Sequence, residues 1–178
     1  MKIRKNEGFT LIELLIVVAI IGIIAAIAVP GLMRARMSGN EASAIGSLRA
    51  INSAQSTYSS SCGQGSYAAT LADLATPPTA GTEGFISSDL NGSGSGGVSN
   101  KSGYEIKLTG GSDAIGVTAC NGVAKTSQTY FAYANPLVVN STGSRRFGTN
   151  QGGTIYQSTS AAVAVSQVGP PSGATPIQ

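Results

Sequence analysis

Gly8-Phe9-Thr10-Leu11-Ile12-Glu13-Leu14-Leu15-Ile16-Val17-Val18-Ala19-Ile20-Ile21-Gly22 is the stretch on which the fold turns; it stays apolar to Val29 and stops at Pro30-Gly31. Phe9 to Val29 is 21 residues, about 31 Å as an α-helix at roughly 1.5 Å per residue, and a bilayer core needs about 20 predominantly apolar residues. The stretch is long enough to cross a membrane. It carries one awkward group. Glu13 lies one turn into the run, where an unpaired charge near the bilayer centre costs on the order of 2.5 to 3.5 kcal/mol. A partner for its carboxylate is therefore expected.

Upstream, Lys2, Arg4 and Lys5 make a short basic leader. Basic residues followed by an apolar run suggest a secretory signal peptide, but such peptides have an apolar stretch of about 7 to 15 residues and then a small-residue cleavage site. This run is longer and ends in Val29-Pro30-Gly31, as a retained helix does. The basic cluster favours a cytoplasmic N-terminus with the bulk of the chain outside, a bias weakened by Arg34 and Arg36 beyond the run.

Gly8-Phe9-Thr10-Leu11-Ile12-Glu13, behind a basic leader and ahead of an apolar helix ending in Pro30, closely resembles the class III signal of type IV pilins and type II secretion pseudopilins. The resemblance implies cleavage by a prepilin peptidase between Gly8 and Phe9, methylation of the new Phe9 amine, and retention of the apolar helix. It also implies that Glu13 neutralises the N-terminal amine of a neighbouring subunit during assembly. A close ion pair gains strength as water is excluded, so this role answers the cost of the buried charge. Gly22 and Pro30 fit the same pattern, in which the helix between them can lose order in a filament. Proline lacks the backbone donor and clashes with the preceding turn, and glycine stabilises a helix poorly.

Composition narrows the function classes. The chain has 178 residues, with 11% charged and a formal charge of +3; the charged share of soluble domains is about 25%. Setting aside the first eight residues leaves eight basic and seven acidic residues, so no nucleic-acid or acidic-substrate partner is expected. Histidine is absent, which removes the commonest general base and the commonest metal ligand. Two cysteines without histidine cannot build a tetrahedral zinc site in one chain. An enzyme has little support, and no cofactor is expected. Cys62 and Cys120 lie outside the apolar run; if their side is oxidising, one disulfide is the natural pairing.

Past Pro30 the helix continues. Ala44/Ile45, Leu48, Ile51, Gln55 and Tyr58 recur at three- and four-residue steps, while Glu41, Ser47, Arg49, Asn52 and Ser53 are polar, so one face is set to pack. The helix is expected to end near Ser59 to Gly63. Tyr67 to Leu74 reads as a short helix with Thr70 as its cap, and Pro77-Pro78 breaks the chain. The loop Asn91 to Gly97 satisfies G-x-G-x-x-G at Gly92, Gly94 and Gly97. A nucleotide site also needs a strand before and a helix after it, and a Ser/Gly tract before a strand supplies neither. Asp89, Asn91 and Ser93 form a weak calcium candidate, since Asn100 stands where the twelfth, bidentate glutamate of such a loop belongs.

From Gly103 the period changes to two. Tyr104, Ile106 and Leu108 alternate with Glu105, Lys107 and Thr109, a strand with one buried face. A second strand is expected over Ile115 to Cys120 and a central one over Thr129 to Ala134. A hairpin joins Arg146–Thr149 to Thr154–Gln157 through Asn150-Gln151-Gly152-Gly153. Tyr130, Phe131, Tyr133 and Phe147 read as core and sheet filler rather than a ligand surface. The segment Gly31 to Ser60 is the long amphipathic element available to cover such a sheet.

The expected fold is α+β and pilin-like, a long N-terminal helix whose second half packs on a C-terminal antiparallel sheet. The expected divisions are 1–8 cleaved leader, 9–30 hydrophobic helix, 31–60 its amphipathic continuation, 61–102 connecting region, 103–165 sheet, and 166–178 a Pro/Gly-rich tail. The family likeness implies a type IV pilus subunit that forms a helical homo-oligomeric filament. Its partners would be prepilin peptidase, an inner-membrane assembly platform, and membrane lipid before assembly. It would reside in the bacterial inner membrane as a precursor and then in a surface filament. The alternative is a pseudopilin of a short periplasmic fibre in protein export; a calcium site in the C-terminal loops would favour it, and no acidic residue follows Gly143.

Overall fold

The computed structural model describes residues 9–79, 81–112, 114–124, 126–159 and 173–177. The chain divides into two compact units, Met1–Arg36 and Met37–Gln178. In the first, helix α1 begins at Leu11, and every described side chain from Phe9 to Arg36 is exposed. This unit contains a helix long and apolar enough to cross a membrane.

α1 is assigned as a single helix, Leu11–Ser61. Within the second unit it buries Glu41, Ala44, Leu48, Ile51, Gln55 and Tyr58. From Ala44 to Tyr58 these steps of four and three residues average 3.5 and keep one face on the same partner. That partner is an antiparallel sheet. In chain order the strands are β1 (Tyr67–Ala68), β2 (Val98–Lys101), β3 (Tyr104–Gly110), β4 (Ala114–Ile115), β5 (Thr126–Ser127), β6 (Tyr130–Pro136), β7 (Arg146–Asn150), β8 (Ile155–Ser158) and β9 (Thr175–Pro176). Among the described residues the large sheet is ordered β2-β3-β6-β7-β8-β9, and a second, smaller sheet is ordered β1-β5-β4. The fold is the α+β arrangement that the sequence implied.

Side-chain alternation sets the sheet's buried face. Tyr104, Ile106 and Leu108 from β3, with Tyr130, Ala132 and Ala134 from β6, join the α1 residues in one core. The two central strands are in register with Ile106 opposite Ala134 and Leu108 opposite Ala132. The short alanine side chains leave room for the helix to approach β6, while Phe147 from β7 and Ile155 from β8 complete the core.

Polar bonds fix how helix and sheet meet. The buried Gln55 amide donates to the Ala68 carbonyl at 2.8 Å and accepts from the Ala68 N–H at 2.9 Å, so it pairs with the backbone as a neighbouring strand would. Asn52 Nδ2 donates to Thr149 Oγ1 and to the Gly153 carbonyl, and its Oδ1 accepts from the Tyr130 hydroxyl. Buried polar groups are tolerated when paired in this way.

Helix α2 (Leu71–Ala75) has the expected Thr70 cap, in a full capping box with Asp73, and buries Leu71 and Leu74. Two expectations need correction. Tyr67 and Ala68, foreseen as the start of that helix, form β1 and pair with Ser127 and Thr126 of β5, so the helix begins only after the Thr70 cap. The strand foreseen over Ile115 to Cys120 is the two-residue β4, because the chain after Ile115 turns away to other partners. There the Ala119 N–H donates to the Val123 carbonyl, and the Cys120 N–H donates to the Cys62 carbonyl. Cys62 and Cys120 are joined in a disulfide spanning 58 positions, which ties the end of α1 to this segment. Closing a loop of that length stabilises by about 4 kcal/mol in the chain-entropy model. The double variant Cys62→Ser/Cys120→Ser should therefore unfold in denaturant with a free energy lower by about that amount. An unchanged midpoint and slope would show that the bridge constrains nothing.

Candidate functional site

The N-terminal turn of α1 is built around Thr10 and Glu13. Thr10 precedes the helix, and its N–H and hydroxyl donate to Glu13 Oε2 at 2.9 and 2.6 Å. The Glu13 N–H in turn reaches Thr10 Oγ1 at 3.3 Å. This reciprocal pairing is a capping box, which satisfies helix donors that otherwise have no partner. The carboxylate thus has partners within its own chain, and it stays fully exposed to any further cation. Phe9 is 84% exposed beside it, and Gly8 lies outside the described residues. The T-x-x-E spacing announces such a cap in sequence, a signal that an argument from charge alone overlooks.

Farther along, Gly22 and Pro30 are both inside α1. Nothing stands within 4 Å of where a Gly22 Cβ would be. Proline has no N–H, so the Ala26 carbonyl lacks its α-helical donor. From Phe9 to Met33 the exposed side chains are predominantly large and apolar, and among the described residues nothing in the first unit covers them.

The remaining sequence candidates are in the second unit. Asp89 pairs with Lys101 Nζ at 2.6 Å and also accepts from the Ser87 hydroxyl. The Lys101 ammonium, then Ser87, hold its carboxyl below the ordinary aspartate value. Asn91 Oδ1 accepts from the Ser93 N–H. The three calcium candidates are thus engaged in a turn stabilised by a lysine. The glycine-rich tract beside them runs into β2 with no helix after it.

The residue that sequence reasoning undervalues is Glu41. It is 5% exposed and binds the connection between β6 and β7. Its Oε1 accepts from the Ser144 N–H (2.9 Å), the Ser144 hydroxyl (3.0 Å) and the Arg145 N–H (3.1 Å). Its Oε2 accepts from Arg145 Nε at 2.8 Å and pairs with Nη2 at 2.7 Å. Burial works against the charge, but the bonds from Ser144 and Arg145 outweigh it and hold the carboxyl below its ordinary value. Arg145 also donates to Gln157 Oε1 and lies over the Phe147 ring. Close by, Asn40 donates to the Thr142 carbonyl and the Tyr104 hydroxyl to the Arg145 carbonyl. Gly143 permits this closeness, since a Cβ there would stand 2.0 Å from the Tyr104 hydroxyl oxygen.

Comparison with known proteins bears on the first unit. Residues 3–29 match the prokaryotic N-terminal methylation motif. The chain carries that motif. Over 54 residues the chain is 48% identical to the type IV major pilin protein PilA of Myxococcus xanthus, a stretch that makes up 30% of this chain and 24% of that one. Identity is 58% over 38 residues with the type IV wide pilus major component PilA4 of Thermus thermophilus, 21% of this chain and 29% of that one. It is 37% over 57 residues with the type II secretion system core protein G of Vibrio cholerae, 32% of this chain and 39% of that one. Through these stretches the chain is a homologue of type IV pilins and of core protein G. The matched stretch spans less than a third of each of the two pilin relatives. No solved structure matches the chain.

The Glu41 site generates a stability prediction with a defined pH dependence. Glu41→Gln removes a charged acceptor of several bonds, each worth about 1.5 to 3 kcal/mol when one partner is charged. At pH 7 the variant should be less stable by about 2 to 3 kcal/mol. A carboxyl whose folded value is lowered contributes fully above its unfolded value and ceases to contribute as pH falls through the folded one. The gap between wild type and variant should therefore close as pH drops below the ordinary glutamate value of 4.5. Denaturant unfolding across that range checks it, and a gap independent of pH would contradict the assignment.

Proposed function

We propose that this chain is the structural subunit of a type IV pilus. A prepilin peptidase cuts between Gly8 and Phe9, and the Phe9 amine is methylated. The apolar segment from Phe9 to Val29 holds the precursor in the inner membrane, and an assembly platform there draws α1 into a helical filament of identical subunits at the cell surface. The work is mechanical, not enzymatic.

The observation that carries this reading is an apolar helix with exposed side chains, headed by Glu13 and set within a methylation motif. Large exposed apolar surface marks a contact with lipid or with protein, and a filament gives it the second after the membrane has given it the first. Glu13 supplies the register. Its carboxylate, presented in the first turn, is available to the amine of a neighbouring Phe9, and in an interior without water that attraction is strong. Two of the matched relatives are named as type IV pilus major components.

A second reading has its own support. The match to type II secretion core protein G fits a subunit of a short periplasmic fibre in protein export. Both readings need the same cleavage, the same membrane-held precursor and the same helix assembly. They part at the cell surface, where the pilus reading predicts long filaments.

The test is Glu13→Ala in cells. The precursor should still be cut at Gly8-Phe9, as intact mass shows, while filaments recovered by shearing fall by at least tenfold. Wild-type filament yield from the variant would remove the assembly role of Glu13. Wild-type cells that cut the precursor yet show no surface filaments by electron microscopy would favour the export fibre.

A further inference from the structure

The second unit contains three Asn-x-Ser/Thr triplets, Asn91-Gly92-Ser93, Asn100-Lys101-Ser102 and Asn140-Ser141-Thr142. On an exposed loop of a secreted domain such a triplet can accept an N-linked sugar. The Cys62–Cys120 disulfide likewise belongs to an oxidising compartment.

The fold separates the three. Asn100 is in strand β2, opposite Glu105 of β3, and Ser102 Oγ accepts from the Ser43 hydroxyl. Asn140 is in a tight turn at φ 62°, where the Thr142 hydroxyl accepts from the Val138 N–H and donates to the Val138 carbonyl. In both triplets the hydroxyl is engaged and the backbone is held by its neighbours.

Asn91 is the open one. It follows the short 3-10 helix Ser88–Leu90 and leads into the exposed run 93–96. Its Oδ1 accepts from the Ser93 N–H at 3.0 Å, an Asx turn that carries the carboxamide and the Ser93 side chain round one bend. Gly92 makes the bend at φ 69°. Among the described residues, neither Asn91 Nδ2 nor the Ser93 hydroxyl has a hydrogen-bond partner. Asp89 also sets a carboxylate two residues ahead of the asparagine, where the other triplets have Val98 and Val138. Its ion pair with Lys101 is at the surface, where such pairs are worth little. The carboxylate is thus available to a cationic groove that selects this acceptor.

Beside Asn91 is an open concavity of about 430 Å³, lined also by Glu83, Ser87, Ser88, Ala75 and Ile86. That volume falls in the ~300 to 1,000 Å³ range of small-ligand sites. The serines and Glu83 offer polar groups, and Ala75 and Ile86 apolar contact, a pairing suited to a sugar ring. A first sugar on Asn91 has room to lie against the domain.

From these observations we propose that Asn91 is an N-glycosylation site. The donor is an oligosaccharide carried on a lipid pyrophosphate, and a membrane-bound transferase joins the two. A bond forms between Asn91 Nδ2 and the anomeric carbon of the sugar as that carbon's bond to the pyrophosphate oxygen breaks. Nδ2 gives up one proton, and the lipid pyrophosphate leaves with the electron pair. The glycan hydrates a domain poor in charge. The proposal rests on the reading that carries the second unit out of the cytoplasm, and the experiment separates the two.

Full-length protein is purified from the cells that produce it, its free thiols are alkylated, and its proteolytic peptides are weighed. The peptide containing Asn91 should exceed its sequence mass by whole sugar residues. The addition should vanish in Asn91→Gln and Ser93→Ala, persist in Ser93→Thr, Asn100→Gln and Asn140→Gln, and fall at least fivefold in Asp89→Asn. An intact disulfide in each variant shows that loss of sugar is not loss of fold. Unmodified Asn91 in disulfide-bonded wild type overturns the acceptor and leaves the export reading intact. Unmodified Asn91 with Cys62 and Cys120 both alkylated overturns both. Aspartate at Asn91 without sugar, from deamidation of Asn91-Gly92, overturns the acceptor, as does sugar that persists in Asn91→Gln.

Discussion

An apolar helix in water must be covered, and this protein covers one half of its helix and leaves the other half bare. The sheet of the second unit takes the face running from Ala44 to Tyr58. The side chains from Phe9 to Met33 are left exposed to whatever surrounds them. At about 25 cal/mol per Å² of apolar area removed from water, so large a surface determines where the chain can exist. It can be in lipid, or it can be against other helices. The proposed membrane retention and the proposed filament assembly would each meet that constraint.

The covered half supplies the complementary property, a domain held firmly on its helix. Hydrophobic burial is not directional, so the apolar face of α1 alone would tolerate sliding along the sheet. Glu41, Asn52 and Gln55 remove that freedom at three levels, binding the β6–β7 connection, the end of β7 and the Ala68 backbone in turn. The disulfide closes the far end at Cys62. Force applied to such a helix is passed to the sheet through paired polar groups, whose loss leaves buried atoms unsatisfied.

Much of this is legible in the sequence, and the exceptions have physical causes. The apolar run, the 3.5-residue seam from Ala44 to Tyr58 and the alternation from Tyr104 to Leu108 are local periodicities, and each appears in the structure at the same residues. Glu41 reads as a solvated residue because its partners Ser144 and Arg145 are 103 and 104 positions away. No local pattern announces such a pair. Ile115 to Cys120 has the composition of a strand, but Cys120 is drawn to Cys62, and the stretch follows the bridge instead of the sheet. The tail over 166–178 reads only as Pro/Gly-rich. Thr175 and Pro176 form an edge strand on β8, and Ile177 packs against the core. Two residues after a polar stretch are too few for periodicity to reveal. The proposed processing at Gly8 and the proposed pairing of Glu13 across subunits would depend on other molecules, so one folded chain carries their sequence signal but not their geometry.

The central claim is that the bare half of α1 becomes the interior of a filament. Cryo-electron microscopy of fibres sheared from cells that produce this chain tests it most directly. The account predicts subunits beginning at Phe9, with residues 9–29 bundled along the fibre axis and the Glu13 carboxylate within about 4 Å, ion-pair range, of a neighbouring Phe9 amine. Fibres joined through the second unit alone, with residues 9–29 absent or lying on the outside, would contradict it.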